Sequence, residues 1–106
     1  MTKKIRVLLV DDHSLVRRGF RRLLEDDPSI VVVGEGSNGE EAIQLVGQLK
    51  PDVVVMDSAM PGTSGLVATR AILAKAPDVK ILMLSMHSEQ TLVRFTVPMG
   101  RSAAAV

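Results

Sequence analysis

The chain has 106 residues, a formal net charge of +1 and no cysteine. This length fits one domain, and the missing cysteines exclude disulfides and thiolate metal sites. The charge falls short of the basic surplus expected of a nucleic-acid-binding module. No apolar run reaches the roughly 18 residues that a membrane-spanning helix needs, so we expect a cytoplasmic protein with no membrane contact.

Apolar runs typical of buried strands alternate along the chain with segments of helical period. The predicted strands cover residues 5–10, 30–33, 53–56 and 80–84, and the predicted helices cover 14–24, 40–49 and 66–75. A further short helix is predicted to begin near Ser88, and residues 95–106 fit no element. This alternation predicts an α/β fold with a parallel sheet and crossover helices.

The first predicted helix has an apolar stripe and a basic stripe. Ser14 is the expected capping residue, and the positions expected to face the core are Val16, Phe20, Leu23 and Leu24. The basic positions are Arg17, Arg18, Arg21 and Arg22. Such a run is more typical of a solvated helix face than of nucleic-acid contact.

Three carboxylates lie where predicted strands end. Asp11 and Asp12 follow the first strand, and Asp57 follows the third. Ligands of open α/β sheets bind beyond the carboxyl ends of strands, so neighbouring strands would bring these acids together. Their like charges require a cation or a shared proton, and Mg²⁺ favours carboxylates with water and phosphate oxygens. The cluster therefore predicts a metal-assisted phosphoryl site.

A competing motif has the G-x-G-x-x-G spacing of dinucleotide-binding proteins. Its glycines are Gly34, Gly36 and Gly39, and Asp57 follows at roughly the distance expected of a ribose ligand. The alternative is a strand-to-helix turn that needs glycine only for its backbone. The fingerprint normally occupies the first strand–helix turn, which here carries the two aspartates, so we favour the second interpretation.

Several segments together resemble a bacterial response-regulator receiver (CheY-like) domain, especially those attached to LuxR-type or NarL-type helix-turn-helix proteins. They are Val-Leu-Leu-Val-Asp-Asp-His (7–13), Gly-Glu-Gly-Ser-Asn-Gly-Glu-Glu-Ala (34–42), Pro-Asp-Val-Val-Val-Met-Asp (51–57), Met-Pro-Gly (60–62) and Leu-Ser-Met-His (84–87). The resemblance covers about residues 4–94. It implies a flavodoxin-like, doubly wound parallel sheet of strand order 2-1-3-4(-5).

The resemblance also implies roles for individual residues. Asp57 would accept a phosphoryl group from a sensor histidine kinase, and Ser85 would donate its hydroxyl to that group. Mg²⁺ or Mn²⁺ would be held by Asp11, Asp12, Asp57 and the backbone carbonyl of Ala59. His13 and His87 are not expected to be metal ligands, because imidazole suits so hard a cation poorly. We expect both to be loop residues near the site. In this family the first helix also meets the kinase.

The C-terminal part departs from the family pattern. The lysine expected at the end of a fifth strand is absent, and strand five and helix five are predicted to be missing or atypical. We therefore divide the chain into an incomplete receiver domain, 1–94, and an atypical tail, 95–106, that is non-native or exchanged between chains. An exposed fourth strand would then favour a homodimer formed by C-terminal exchange.

The resulting functional prediction is a phosphoryl acceptor, not a conventional enzyme, that controls a LuxR-type DNA-binding domain absent from this chain. The chain itself would bind no nucleic acid, and the missing lysine predicts impaired switching with intact Mg²⁺ binding. The alternatives are an unphosphorylated pseudo-receiver that acts as an interaction module, a dinucleotide-binding fragment and a Mg²⁺-dependent phosphatase. The phosphatase needs an acid–base residue near Asp57, and Ala59 supplies none.

Overall fold

The computed structural model describes residues 3–57, 65–87 and 90–96, with the backbone alone for 85–87 and 90–96. Helices and strands follow in the order β1 (Ile5–Val10), α1 (Ser14–Glu25), β2 (Ile30–Gly36), α2 (Gly39–Leu49), β3 (Val53–Asp57), α3 (Gly65–Lys75), β4 (Lys80–His87) and β5 (Gln90–Thr96). None of the helices in these ranges is long and apolar enough to cross a membrane.

The strands form one sheet of order β2-β1-β3-β4-β5, in which the first four are parallel. Val10 of β1 lies opposite Gly36 of β2 and Met56 of β3. Asp57 of β3 lies opposite Leu84 of β4. The carboxyl ends of these strands therefore meet at one edge, and the predicted flavodoxin-like order 2-1-3-4 is confirmed.

The core has two layers because alternate strand residues face opposite sides of the sheet. One layer lies on the side of the sheet covered by α2 and α3, and it contains Leu8, Val10, Val54, Met56, Val79 and Ile81. The other layer packs against Phe20 and Leu24 of α1, and it contains Val7, Leu9, Val32, Val55 and Leu84. Burial on both faces explains why β1 and β3 are almost entirely apolar in sequence.

Helix α1 differs in two respects from its prediction. His13 is the N-cap residue, without a side-chain capping bond, and Ser14 is already helical. Phe20 and Leu24 face the core as predicted, but Leu23 is 69% exposed. Residues four apart lie along one line of a helix, and Leu23 lies off the line that joins Phe20 to Leu24.

The segment after β4 is a strand, so the helix predicted near Ser88 is wrong. Gln90–Thr96 forms β5, which pairs antiparallel with β4 from His87↔Gln90 to Ile81↔Thr96. The fifth strand is thus present but atypical, since a doubly wound receiver would continue in parallel. Because β5 pairs with β4, the expected bare edge at β4 is also wrong. Alternating β-branched and aromatic residues in β5 suit this pairing.

Candidate metal and phosphoryl site

Three carboxylates and one imidazole meet at the carboxyl edge of the sheet. Asp11 follows Val10 at the end of β1, and Asp57 is the last residue of β3. Because β1 and β3 are neighbours, ligand atoms of Asp11, Asp12, His13 and Asp57 all lie within 4.8 Å of one another. The predicted convergence of the three acids is therefore confirmed.

The three carboxylates are largely shielded from solvent, whereas the His13 side chain is 67% exposed. Asp11 is 5% exposed and Asp57 is 9% exposed, while the side chain of Asp12 is 22% exposed. Like charges held so close repel, and burial raises the cost of leaving them without a counter-charge. A hard cation with oxygen ligands fits this donor set.

One oxygen of Asp12 adds a separate sign of an incomplete site. Its Oδ1 atom is buried and has no hydrogen-bond partner within the part of the chain described. Nδ1 of His13 lies 3.0 Å away, which is ion-pair distance. Within the described residues this contact is not a hydrogen bond, so the hydrogen-bonding capacity of the oxygen is unfilled. A buried acceptor in this state is a suitable cation ligand.

His13 contributes more to the cluster than its sequence position indicates. Besides its contact with Asp12, its Nδ1 lies 3.4 Å from Oδ1 of Asp11, and its backbone N–H donates to that oxygen over 2.8 Å. The prediction of a loop residue near the site is correct for His13. Its contact with the carboxylates could have been inferred only from its position directly after Asp11 and Asp12.

Asp11 is fixed through its backbone as well as its side chain. Its N–H donates to the carbonyl of Gly36 over 3.0 Å, which extends the contact between β1 and β2 beyond the strand end. Its carbonyl accepts from Nη1 of Arg17 over 2.6 Å. Residue 11 is therefore held from the β2 side and from α1 at the same time.

Two arginines of α1 form a network with Glu35 of β2. Nε of Arg17 donates to Oε1 of Glu35 over 2.7 Å, and Nη1 of Arg21 donates to Oε2. The hydrogen bond from Arg21, followed by that from Arg17, holds the pKa of the Glu35 carboxyl below its usual value. The prediction of a solvated basic face is wrong for Arg17, whose side chain is 20% exposed, whereas Arg18 and Arg22 are exposed and Arg21 keeps 40% of its side chain exposed.

The remaining predicted site residues are described only in part or lie outside the described ranges. Ser85 belongs to β4 and follows Leu84, the residue opposite Asp57, but its side chain is not described. Ala59 and the segment 60–62 lie outside the described residues. His87 ends β4, so its assignment to a loop is wrong.

Comparison with known proteins identifies the fold family. The sequence matches the response regulator receiver domain over residues 7–102. The chain belongs to this family.

Individual relatives support the same assignment of a receiver domain. The response regulator UvrY of Escherichia coli (strain K12) is 56% identical over 88 residues, which cover 83% of this chain and 40% of UvrY. The transcriptional regulatory protein DegU of Brevibacillus brevis is 41% identical over 99 residues, which cover 93% of this chain and 42% of DegU. The receiver domain therefore spans about two fifths of the length of these relatives.

A solved structure agrees with the sequence relatives. A two-component response regulator of the LuxR family from Aurantimonas sp. SI85-9A1 is similar with a TM-score of 0.77 and 43% identity, over 81% of this chain and 61% of that one. The present chain is accordingly a receiver domain of the two-component response-regulator type.

The glycine motif of this receiver domain does not form a phosphate-binding loop. Gly34 and Gly36 lie within β2, where they pair with β1. A Cβ atom at Gly34 would approach Cδ1 of Leu49 to 2.5 Å, so glycine there makes room for α2. The N-terminus of α2 is capped by Asn38, and Glu41 accepts from the backbone and hydroxyl of Ser37. These carboxylate contacts disfavour a pyrophosphate and count against the dinucleotide alternative.

A cavity of about 900 Å³ lies at the opposite end of the receiver domain. Its lining includes the residues that follow or end α2 and α3, among them Lys50 and Lys75, and the first residues of β3 and β4. Helix C-termini carry partial negative charge that lysines offset, so these lysines have a structural explanation. The carboxylate cluster is the stronger candidate site, because there the unsatisfied oxygen and the converging charges occur together.

Proposed function

We propose that this receiver domain accepts a phosphoryl group on Asp57 from the phosphohistidine of a sensor histidine kinase, with Mg²⁺ or Mn²⁺ bound beside it. The observation that carries the proposal is the convergence of Asp11, Asp12 and Asp57 within 4.8 Å at the carboxyl ends of β1 and β3. Three acids at this edge suit a cation that is shared between protein oxygens and a phosphoryl group.

The proposed metal ligands are Asp11, Asp12, Asp57 and the backbone carbonyl of Ala59. A bound Mg²⁺ would neutralise negative charge on the transferred oxygens. Asp11 is suited to a fixed ligand because its amide, carbonyl and carboxylate all accept or donate hydrogen bonds. Asp12 supplies the buried oxygen that lacks a hydrogen-bond partner in the described residues.

Asp57 is proposed as the nucleophile. A carboxylate oxygen of Asp57 attacks phosphorus, an O–P bond forms, and the P–N bond to the kinase histidine breaks with its electron pair left on the imidazole. Burial of Asp57, which is 9% exposed, limits the access of water to the resulting acyl phosphate. The domain is therefore proposed as a signalling module that acts on itself, not as a conventional enzyme.

Ser85 is the proposed switch residue. Its place one residue beyond Leu84, which pairs with Asp57, puts it on the neighbouring strand at the correct edge of the sheet. A phosphoryl group adds acceptor oxygens that such a hydroxyl can bind. Because the family's strand-five lysine is absent from this sequence, we expect phosphoryl acceptance and Mg²⁺ binding to persist while the conformational response is weakened.

The proposed output lies outside this chain. DegU is described as a transcriptional regulatory protein, and the chain spans 42% of its length. We therefore place the domain in a cytoplasmic transcription regulator with a LuxR-type DNA-binding domain, and we assign DNA binding to the full-length protein alone. The division into 1–94 and 95–106 and the homodimer by C-terminal exchange remain predictions.

Reductive trapping tests which carboxylate is modified. The protein is incubated with acetyl phosphate and Mg²⁺, treated with borohydride, which converts an acyl phosphate to homoserine, and digested for peptide mass spectrometry. Homoserine at position 57, retained in Asp52→Asn and lost in Asp57→Asn, is the expected result. Asp52 is a matched control because it directly precedes β3 at the opposite edge and is exposed.

Two results would contradict the proposal. Trapping at position 11 or 12 would move the acceptor to another carboxylate. No trapping at any position, with Mg²⁺ still bound, would favour the pseudo-receiver, in which the site binds a cation but the domain acts only through protein contacts.

A further inference from the structure

A single arginine of α1 connects the acidic site to β2, the strand at the edge of the sheet beside β1. The guanidinium of Arg17 donates from Nη1 to the carbonyl of Asp11 over 2.6 Å and from Nε to Glu35 over 2.7 Å. Its side chain is 20% exposed and that of Glu35 is 24% exposed. Both side chains are therefore partly shielded from competing water.

The contact with Asp11 closes the loop that carries the acids. Arg17 makes the first backbone hydrogen bond of α1, to the carbonyl of His13 over 2.9 Å. Its side chain then returns to Asp11, six residues earlier. Asp12 lies between these two attachment points, Asp11 and His13, so the arginine fixes the path of the loop on both sides of Asp12.

Glu35 holds the guanidinium in the orientation that reaches the loop. It lies in β2 and also accepts from Arg21, one helical turn further along α1. A planar guanidinium has donors in a fixed fork, so binding Glu35 through Nε directs the remaining N–H groups. We propose that Arg17 is a positioning residue for the metal site, which acts through the Asp11 carbonyl to set the carboxylates at the separation that a cation requires. This inference rests on the proposed Mg²⁺ site.

Positioning and simple electrostatics predict opposite effects on Mg²⁺ affinity. If Arg17 acted only as a nearby positive charge, its removal would reduce repulsion and tighten Mg²⁺ binding. If it positions the loop, its removal weakens binding. Groups that orient metal ligands typically change affinity by about 10-fold or more when they are removed.

The test compares Arg17→Met with Arg21→Met by calorimetric Mg²⁺ titration. Arg21→Met is a matched control, because Arg21 lies on the same helix and binds the same Glu35. We expect the Mg²⁺ dissociation constant to rise about 10-fold in Arg17→Met and to change little in Arg21→Met. Arg17→Lys should fall between Arg17→Met and the wild type, since an ammonium can keep one contact but lacks the rigid fork.

A second measurement works without metal. Hydrogen exchange of the His13 amide, which donates to Asp11, should be faster in metal-free Arg17→Met than in Arg21→Met. Equal dissociation constants and equal exchange in the two variants, or tighter binding in Arg17→Met, would overturn the inference. A wild-type domain that binds no Mg²⁺ would instead refute the proposed metal site, and the exchange comparison would still decide whether Arg17 positions the loop.

Discussion

Arg17 and Glu35 are 18 residues apart in sequence, yet Nε of Arg17 lies 2.7 Å from Oε1 of Glu35. This contact joins the first half of α1 to the end of β2. It makes one carboxylate responsible for the orientation of two arginines, because Arg21 binds the same side chain.

The network predicts a defined pH dependence of stability. The pKa of Glu35 is held below its ordinary value of 4.5, chiefly by Arg21 and then by Arg17. A depressed folded-state pKa contributes stability that is present above the unfolded value and is lost as pH falls through the folded value. Glu35→Gln should therefore cost about 1 kcal/mol near pH 7, a modest value suited to a partly exposed network.

Urea unfolding of wild type and Glu35→Gln across the acid range measures this effect. The difference in unfolding free energy should shrink as pH falls below 4.5. A difference that stays constant from neutral to acid pH would show that Glu35 contributes through packing and not through its charge.

Gly34 and Leu49 provide a packing prediction that separates structure from cofactor binding. A Cβ at position 34 would lie 2.5 Å from Cδ1 of Leu49. Gly34→Ala should therefore destabilise the domain by about 1 kcal/mol, since Leu49 must shift to relieve the overlap. Gly47→Ala is the matched control. Apart from its chain neighbours and the backbone of its own helix, no atom lies within 4 Å of the added Cβ, so this helical substitution should stabilise by about 0.5–1 kcal/mol.

A double-mutant cycle checks the cause of the destabilisation. In a Leu49→Ala background the overlapping methyl group is gone, so Gly34→Ala should cost less than in the wild type. Additive effects of the two substitutions would mean that the overlap does not determine the choice of glycine at position 34.

The close carboxylates are expected to lower the stability of the metal-free domain and to favour cation binding. Asp12→Asn removes one of three close like charges, so the metal-free variant should be more stable than wild type by about 1 kcal/mol. Wild type should gain about 2.7 kcal/mol at a free Mg²⁺ concentration 100 times its dissociation constant. Thermal or urea unfolding with and without Mg²⁺ measures both effects. An Asp12→Asn variant that gains as much from Mg²⁺ would exclude Asp12 as a ligand.

Local sequence patterns were sufficient for the first four strands and three helices. The apolar runs of β1 and β3 and the i, i+4 spacing of Ala42 and Val46 depend only on neighbouring residues. Strand ends were less predictable, because β2 continues to Gly36 through its pairing with Val10 of β1. Such pairing is a contact between distant segments.

The fifth strand shows the limit of local prediction. Ser88, Glu89 and Gln90 favour the first turn of a helix, but Gln90–Thr96 pairs with β4 instead. The unpaired backbone groups at a strand edge favour pairing with any available extended segment. This stabilisation depends on a distant segment and is not visible in the local sequence pattern.

The site was predictable where it depended on topology and not where it depended on side-chain geometry. The positions of Asp11 and Asp57 followed from strand ends. The contacts of His13 and Arg17 depend on how α1 is oriented over β1 and β2, which single-sequence periodicity does not specify. For Arg17, the available signal was a basic residue in the first turns of the helix that follows the acids.

The predicted homodimer can be tested by its mass in solution. Because β5 pairs with β4, an exposed edge at β4 is not a reason to expect a dimer. Exposed apolar side chains on α1 are another reason to expect one, because Leu15 is 80% exposed and Leu23 is 69% exposed. Size-exclusion chromatography with light scattering should give a dimer mass at high protein concentration. A monomer mass throughout would refute the homodimer.

Intact-mass spectrometry after incubation with acetyl phosphate and Mg²⁺ measures whether Asp57 accepts a phosphoryl group. We expect a gain of one phosphoryl group in the wild type, no gain in Asp57→Asn, and no gain when a chelator removes the metal. A wild-type mass that does not change under these conditions, or an equal gain in Asp57→Asn, would contradict the assignment of Asp57 as the phosphoryl acceptor.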